Sequence, residues 1–261
     1  MHIKMIVTDL DGTLLRGDKT IPDYTLRIFS KLRERGIKIA LATARSDRAA
    51  SRFTAQIEPD ALICYGGALV KVGDNIICRF AIPQDISDSL IAECANAHEI
   101  SAIYAINETV ALSNDKEPAL ADVSHYSFDD FSRLPGQSFL KISVCSQYPR
   151  YIEALAEQYP MCDMMRYSGE DLVRFAHRDA VKWKAVYVLA NRLCINIAEV
   201  AAFGDDYNDI DMLRGCGIGV AMENAIDEVK AVADYICDSN EADGVAKWLE
   251  AHVLRDASYC N

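Results

Sequence analysis

Three apolar runs near the amino terminus, "IKMIVTDLD" (3–11), "IKIALAT" (37–43) and "DALICY" (60–65), constrain the fold of this chain most. Each is continuous and rich in β-branched or apolar residues without strict alternation, the pattern of a strand covered on both faces. Helix-period segments separate them. One starts near Pro22, carries Ile28, Phe29 and Leu32 on one face and stops at Gly36, which suits a left-handed cap. The other is "SDRAASRFTAQI" (46–57). Strand, helix, strand, helix, strand predicts a parallel sheet with right-handed crossovers.

The rhythm then breaks. "ALVKVGDNIICRFAI" (68–82) predicts a hairpin through a Gly-Asp-Asn turn. From Pro83 to His177 the pattern is mixed: a helix over 83–97, strands around 101–113, "FLKISVCS" (139–146), a helix over 149–158, and a strand pair "MCDMMRYS" (161–168) and "DLVRFAH" (171–177). Alternation returns with a helix over 181–193, "VAAFG" (200–204), a helix over 206–214, "GIGVAM" (217–222), a helix over 225–233, "DYICD" (234–238) and a helix over 242–252. The expected architecture is α/β: a Rossmann-like parallel-sheet core from 1–81 and 181–261, with an inserted α+β domain over 82–180.

Composition narrows the function. The 261 residues suffice for one large or two modest domains, with 51% hydrophobic and 25% charged residues as in ordinary globular proteins. A formal charge of −12 repels nucleic-acid backbones and anionic lipid, so neither is expected as a partner. Nine cysteines stand in contexts such as "LICYGG" and "ISVCSQ" without CxxC spacing, and read mostly as small buried residues of a reducing compartment. With no leader and no membrane-length apolar stretch read from the sequence, a cytoplasmic enzyme is expected.

In open parallel sheets, ligands bind beyond the carboxyl ends of the strands. Four polar or glycine-bearing segments fall there: "DLDGT" (9–13), "TAR" (43–45), "YGGA" (65–68) and "GDDYND" (204–209). Asp9 and Asp11 straddle one strand exit, where like charges are costly unless a cation joins them or one carboxyl keeps its proton. Asp205, Asp206 and Asp209 form a second acidic cluster. Hard oxygen donors from two loops suit Mg²⁺, whereas no His or Cys spacing suits zinc. Either acidic segment alone reads equally well as a turn; their pairing at two strand ends points to chemistry.

On these segments the chain resembles the haloacid dehalogenase superfamily of phosphohydrolases, and within it the Cof-type subfamily with an α/β cap. The likeness rests on "DLDGT", Thr43 of "ATAR", the lysine of "VKWKAV" and "GDDYND", in that order, supported by "AMENA" (221–225) and "EADGVA" (241–246). The resemblance implies that Asp9 attacks phosphorus to form an aspartyl phosphate. It makes Asp11 the acid for the leaving alcohol and then the base for water, a role requiring a pKa raised relative to Asp9. Mg²⁺ would be held by Asp9, the backbone carbonyl of Asp11 and Asp205, with Asp209 steering its waters. Thr43, Lys182 and Asn208 would contact the phosphate. Arg45 reads either as a substrate or crevice-closing group or as a surface charge at a helix start. Lys182 aligns with the family lysine, leaving Lys184 at the surface.

Three departures alter the pocket: Ala44 in place of a glycine, Gly66 in place of an asparagine, and Trp183 in place of a glycine. The expected substrate is a small phosphorylated metabolite, sugar phosphates first, selected by the inserted cap. Asn107, Glu108, Arg166 and His177 are polar cap candidates that read equally as solvated strand faces. A phosphomutase and a catalytically silent binding module are the competing readings. The expected assembly is a monomer or weak homo-oligomer.

Overall fold

The computed structural model describes residues 2–116, 126–166 and 171–255, and divides the chain into two compact units. One comprises Met1–Cys78 with Val181–Asn261, the other Arg79–Ala180.

The first unit opens with β1 (Met5–Thr8), every residue of which is buried, as its unbroken apolar run requires. Helix α1 (Asp23–Glu34) buries Thr25, Ile28, Phe29 and Leu32 and ends before Gly36. Then come β2 (Lys38–Ala42), α2 (Asp47–Ile57), β3 (Ala61–Cys64), β4 (Leu69–Val72) and β5 (Asn75–Arg79). Ser46 caps α2 by accepting the Ala49 N–H at 3.1 Å.

The second unit holds α3 (Gln84–Asn96), β6 (Ala102–Ile106), β7 (Ala111–Ser113), β8 (Ser127–Phe128), β9 (Lys141–Cys145), α4 (Pro149–Gln158), β10 (Cys162–Arg166) and β11 (Leu172–His177). Its sheet has the order β10-β11-β9-β6-β7-β8, antiparallel except for the β7–β8 pair. Residues from both helices and the sheet, including Leu90, Ile91, Ile103, Ile142, Val144, Ile152, Leu155 and Phe175, form one core. This is the expected α+β composition. Strand β8 adds a piece too short to show a period in sequence, and residues 167 and 168 of the predicted "MCDMMRYS" strand lie outside the described residues.

The chain re-enters the first unit through α5 (Lys182–Arg192), β12 (Val200–Gly204), α6 (Ile210–Gly215), β13 (Ile218–Met222), α7 (Asp227–Lys230), β14 (Tyr235–Cys237) and α8 (Gly244–Leu249), which runs into a wider π-helical turn over Glu250–Leu254. The sheet order is β14-β13-β12-β1-β2-β3-β4-β5, and the first six strands are parallel. Order reverses between β1 and β12, because the chain winds outward to β3 and later returns to the other side of β1. That switch point is where an α/β sheet opens a crevice at its carboxyl edge.

Two predicted helices are shorter than expected. The segment 206–214 begins as a 3-10 turn over Tyr207–Asp209 before α6, because the Asp206 carboxylate caps that turn from the Tyr207 N–H. The segment 225–233 is helical only over Asp227–Lys230. The cysteines also depart from expectation: of the eight described, Cys64, Cys94, Cys216 and Cys237 are buried, and Cys194 is exposed. Among the described residues no helix is long and apolar enough to cross a membrane.

Gly67 sets the approach of the β3–β4 connection to the start of α5. Its φ is +109°, and a Cβ there would lie 2.4 Å from the Val181 carbonyl carbon and 2.8 Å from the Lys182 nitrogen. Gly36 also has a positive φ, +75°, but nothing lies within 4 Å of its would-be Cβ. Gly67→Ala is therefore expected to lose at least about 2 kcal/mol, combining backbone strain with overpacking. Gly36→Ala should lose only about 1 kcal/mol, from strain alone. Urea denaturation of the two variants checks the order; equal losses would contradict it.

Candidate active site

Strand β1 ends at Thr8, whose hydroxyl donates to the Asp9 carbonyl, and the Asp9 N–H continues the sheet to the Phe203 carbonyl at 3.0 Å. The strand pairing thus delivers Asp9 beside the exit of β12. From the other side α5 begins with Lys182, whose side chain is fully enclosed. A buried ammonium is tolerable only with partners. Its Nζ donates to Asp9 Oδ1 at 2.6 Å, Asp209 Oδ1 at 2.7 Å and Asn208 Oδ1 at 3.1 Å. Burial works against the lysine charge, yet Asp209 and Asp9 outweigh it and raise its pKa above the ordinary value.

Asp209, wholly buried, uses its second oxygen to accept the N–H groups of Asp205 (3.1 Å) and Asp206 (3.3 Å), which folds "GDDYND" into a closed turn. Asp205 accepts the Thr13 hydroxyl at 2.6 Å, tying that turn to the β1 loop. Asp9, Asp205 and Asp209 each offer a carboxylate oxygen, and these atoms lie within 4.8 Å of one another. Burial pushes the Asp9 carboxyl up; the Lys182 ammonium opposes the rise, and Asp209 and Asp205 add to it. Asp205 is likewise pushed up to about 6, chiefly by burial. Three crowded carboxylates facing one ammonium form a cluster suited to a divalent cation, whose charge would relieve both rises.

Asp11 stands apart from that cluster. Its Oδ2 accepts Arg45 Nε at 2.6 Å, and its Oδ1 accepts Arg45 Nη2 at 2.8 Å and Lys19 Nζ at 2.8 Å. Burial disfavours its charge, but the bonds from Arg45 and Lys19 hold its carboxyl below the ordinary range. The two acids are therefore ordered opposite to the acid role that resemblance assigns to Asp11. Asp9 is buried among carboxylates, whereas Asp11 is ion-paired twice. Arg45, read in sequence as a substrate-reaching group or a surface charge, forms a fork on Asp11.

Thr43 is buried at the end of β2, and its hydroxyl oxygen accepts the Arg45 N–H at 3.1 Å. Lys184 is exposed, as expected. Gly66 sits at φ 70°, ψ 22°. Asparagine tolerates this left-handed region better than most residues, so its exchange for glycine preserves the turn and removes the side chain. Trp183 lies over Gly215, where a Cβ would come within 2.3 Å of its ring. The indole is thus seated on α6.

Sequence reasoning missed Lys19 and Thr13 as partners of the two acidic segments. Thr13 lay within a quoted motif. Lys19 carried no signal, since only the turn brings it back to Asp11. In the second unit, Asn107 organises the hairpin by accepting the N–H groups of Thr109 (2.9 Å) and Val110 (2.8 Å). Glu108 pairs with Arg79, Arg166 donates to the Pro149 carbonyl, and His177 Nδ1 accepts the Asp179 N–H.

Replacing Lys182 by methionine would leave Asp9 and Asp209 buried without their cation. In EDTA, Lys182→Met is expected to lose about 3–5 kcal/mol of unfolding free energy, the loss typical of breaking a buried pair. Added Mg²⁺ should recover part of it. Chemical denaturation with and without the metal measures both; an unchanged midpoint in EDTA would contradict the assigned role of the lysine.

Comparison with known proteins identifies the family. The sequence model of the haloacid dehalogenase-like hydrolase family matches residues 6–249. The 5-amino-6-(5-phospho-D-ribitylamino)uracil phosphatase YitU of Bacillus subtilis is 27% identical, covering 95% of this chain and 97% of its own. The crystal structure of TM0651 from Thermotoga maritima superposes with a TM-score of 0.85 at 24% identity, covering 95% of this chain and 97% of that one. The structure of the subclass IIB sugar phosphatase BT4131 gives 0.80 at 24% identity, over 95% and 98%. With its parallel sheet, inserted α+β unit and aspartate cluster at the β1–β12 switch point, the chain belongs to the haloacid dehalogenase-like hydrolases.

Proposed function

We propose that this protein is a Mg²⁺-dependent phosphatase of small phosphorylated metabolites, sugar phosphates first among them, working through an aspartyl phosphate on Asp9. The observation that carries this reading is the buried ammonium of Lys182 bonded to both Asp9 and Asp209 beside a third carboxylate, Asp205. A carboxylate cannot approach an anionic phosphoryl group unless positive charge is placed around both. Lys182 supplies one such charge from a position it cannot leave, because its side chain is enclosed.

Asp9 and Asp205 would hold Mg²⁺, joined by the backbone carbonyl of Asp11 as the family resemblance implies, with Asp209 steering its waters. The ion would neutralise phosphoryl oxygens and favour the oxygen geometry of an in-line displacement. Asp9 attacks phosphorus, the bond to the leaving alcohol breaks, and Asp11 delivers a proton to that oxygen. Water then attacks the same phosphorus as Asp11 takes its proton, and inorganic phosphate leaves with Asp9 restored. The Arg45 and Lys19 pairing favours the ionised Asp11 that this second step needs. An arriving phosphate competes for the same two cations, which eases the protonation that the first step needs. Thr43 and Asn208 are assigned to phosphate contact beside Lys182.

The substrate class rests on relatives. One is a phosphatase of a substrate with its phosphate on a ribityl chain and another is a sugar phosphatase. Both carry phosphate on a polyhydroxylated carbon chain. The inserted segment 82–180 is proposed as the substrate-selecting domain. The net charge of −12 argues against nucleic-acid partners, and a cytoplasmic site of action is part of the proposal.

Phosphate release from a panel of phosphorylated sugars, polyols and nucleotides tests the reading. Turnover is expected to require Mg²⁺, to stop in EDTA and to return when Mg²⁺ is restored. Asp9→Asn should lower kcat by at least about 10³-fold while the unfolding midpoint stays near or above that of the wild type, since removing one of the crowded carboxylates relieves repulsion. Wild-type hydrolysis by Asp9→Asn would overturn the nucleophile assignment. Phosphate released undiminished in EDTA would overturn the metal.

A further inference from the structure

Two sequence motifs, "AMENA" and "EADGVA", take no part in the chemistry above, yet residues in and beside them grip the loop that leaves β1. Asn224 Nδ2 donates to the Gly12 carbonyl at 2.7 Å, and its Oδ1 accepts the Asn240 N–H at 3.0 Å. Asn240 Nδ2 in turn donates to the Leu15 carbonyl at 2.8 Å. Glu241 Oε1 accepts the Gly17 N–H at 2.6 Å, and the Arg16 guanidinium pairs with Asp243 Oδ1 at 2.8 Å. Residues 12–17 are thus tied at four points to a segment more than two hundred residues away.

What these ties hold is a strained turn. The Lys19 N–H donates to the Arg16 carbonyl at 2.8 Å, and the Arg16 N–H to the Thr20 carbonyl at 3.2 Å. The Asp18 carboxylate accepts both the N–H and the hydroxyl of Thr20. Lys19 itself has φ +63°, a conformation that a lysine keeps only where its surroundings impose it. The turn brings Lys19 Nζ to Asp11 Oδ1 at 2.8 Å, on a carboxylate that Arg45 also grips.

We infer that Asn224, Asn240, Glu241 and Asp243 form a clamp on the β1 loop, and that the clamp makes Lys19 a positioning residue for Asp11. The inference rests on the phosphatase reading only for what Asp11 does, not for the clamp. Lys19 and Asp11 are both partly exposed, with side-chain exposures of 43% and 37%. A pair so wetted adds little to stability. Its consequence lies in fixing where the Asp11 carboxylate stands, and misplacing a catalytic group by about 1 Å can cost on the order of 100-fold in rate.

Stability and rate should therefore separate. In the full chain with Mg²⁺, Lys19→Ala is expected to lower kcat by about 10-fold or more, with KM within about twofold and the unfolding midpoint nearly unchanged. Lys19→Arg should recover part of kcat. Asp243→Asn and Arg16→Met should each lower kcat similarly, and the double variant should be no worse than either single one, because both act through one contact. Hydrogen exchange of the peptide spanning 12–19 supplies a readout independent of turnover, and should quicken in Asn240→Ala and Asp243→Asn. Unchanged exchange in both would overturn the clamp. Quickened exchange with unchanged kcat, in these variants or in Lys19→Ala, would overturn the positioning role. Should the wild type release phosphate from no compound in the panel, the phosphatase reading fails, while the exchange arm still decides the clamp.

Discussion

The buried Lys182 ammonium between Asp9 and Asp209 is the interaction on which the rest of the core depends. Removing a charge from water is tolerable only against good partners, and the partners come from opposite ends of the chain. One closes β1 and the other closes the turn after β12. The lysine stands at the first residue of α5, where the Gly67 turn comes within contact distance of Val181. The sheet order, the glycine at that turn and the α5 start are thus conditions for one triad of charges.

The remaining carboxylates divide by environment. Asp9, buried, and Asp205, half-buried, lie beside Asp209 and are pushed toward the protonated form. Asp11, two residues along the chain from Asp9, is held ionised by Arg45 and Lys19. Two neighbouring acids of one loop therefore meet opposite fields. Asp9 follows the strand inward, while the chain turns at Gly12 and leaves Asp11 toward the α2 start and the turn at residues 16–20. The proposed roles need this order to invert once a cation and a phosphate are bound, since a group that bonds to phosphorus must be ionised and a group that protonates the leaving oxygen must carry a proton.

Much of this was legible in the sequence, for a physical reason. Strands buried on both faces must be continuous apolar runs, so β1, β2, β3 and β12 announced themselves, and the polar residues closing each run marked the crevice edge. The shift from helix–strand alternation to mixed pattern likewise exposed the inserted α+β segment. Short elements were not legible. The two residues of β8 carry no period, and the 3-10 turn at Tyr207–Asp209 looks like the start of a helix until the Asp206 cap is seen. The Asp11 pairs were hidden too, since Arg45 and Lys19 reach it only through a helix-start loop and a left-handed residue. The clamp residues stood within or beside quoted motifs, but their role is a set of contacts between distant chain segments, and spacing does not encode such contacts.

Charge balance explains why so many parts converge. The chain carries a net charge of −12, which repels any phosphorylated metabolite at long range. At the crevice edge, the carboxylates of Asp9, Asp11, Asp205 and Asp209 meet the cations of Lys182, Arg45 and Lys19, so the protein groups alone leave a small negative excess. A divalent ion at the clustered carboxylates would turn that excess positive, and a doubly charged phosphate would turn it negative again. On the proposed reading, a site so loaded would attract a phosphorylated substrate and lose that attraction as the anion bound. Each cation is also fixed by a different device: burial for Lys182, a bidentate fork for Arg45 and a clamped turn for Lys19. A displacement of Arg45 or Lys19 would shift the charge balance at the site while leaving the sheet intact, whereas loss of the buried Lys182 would cost stability as well, so chemistry and stability separate at the two outer cations and meet at the inner one.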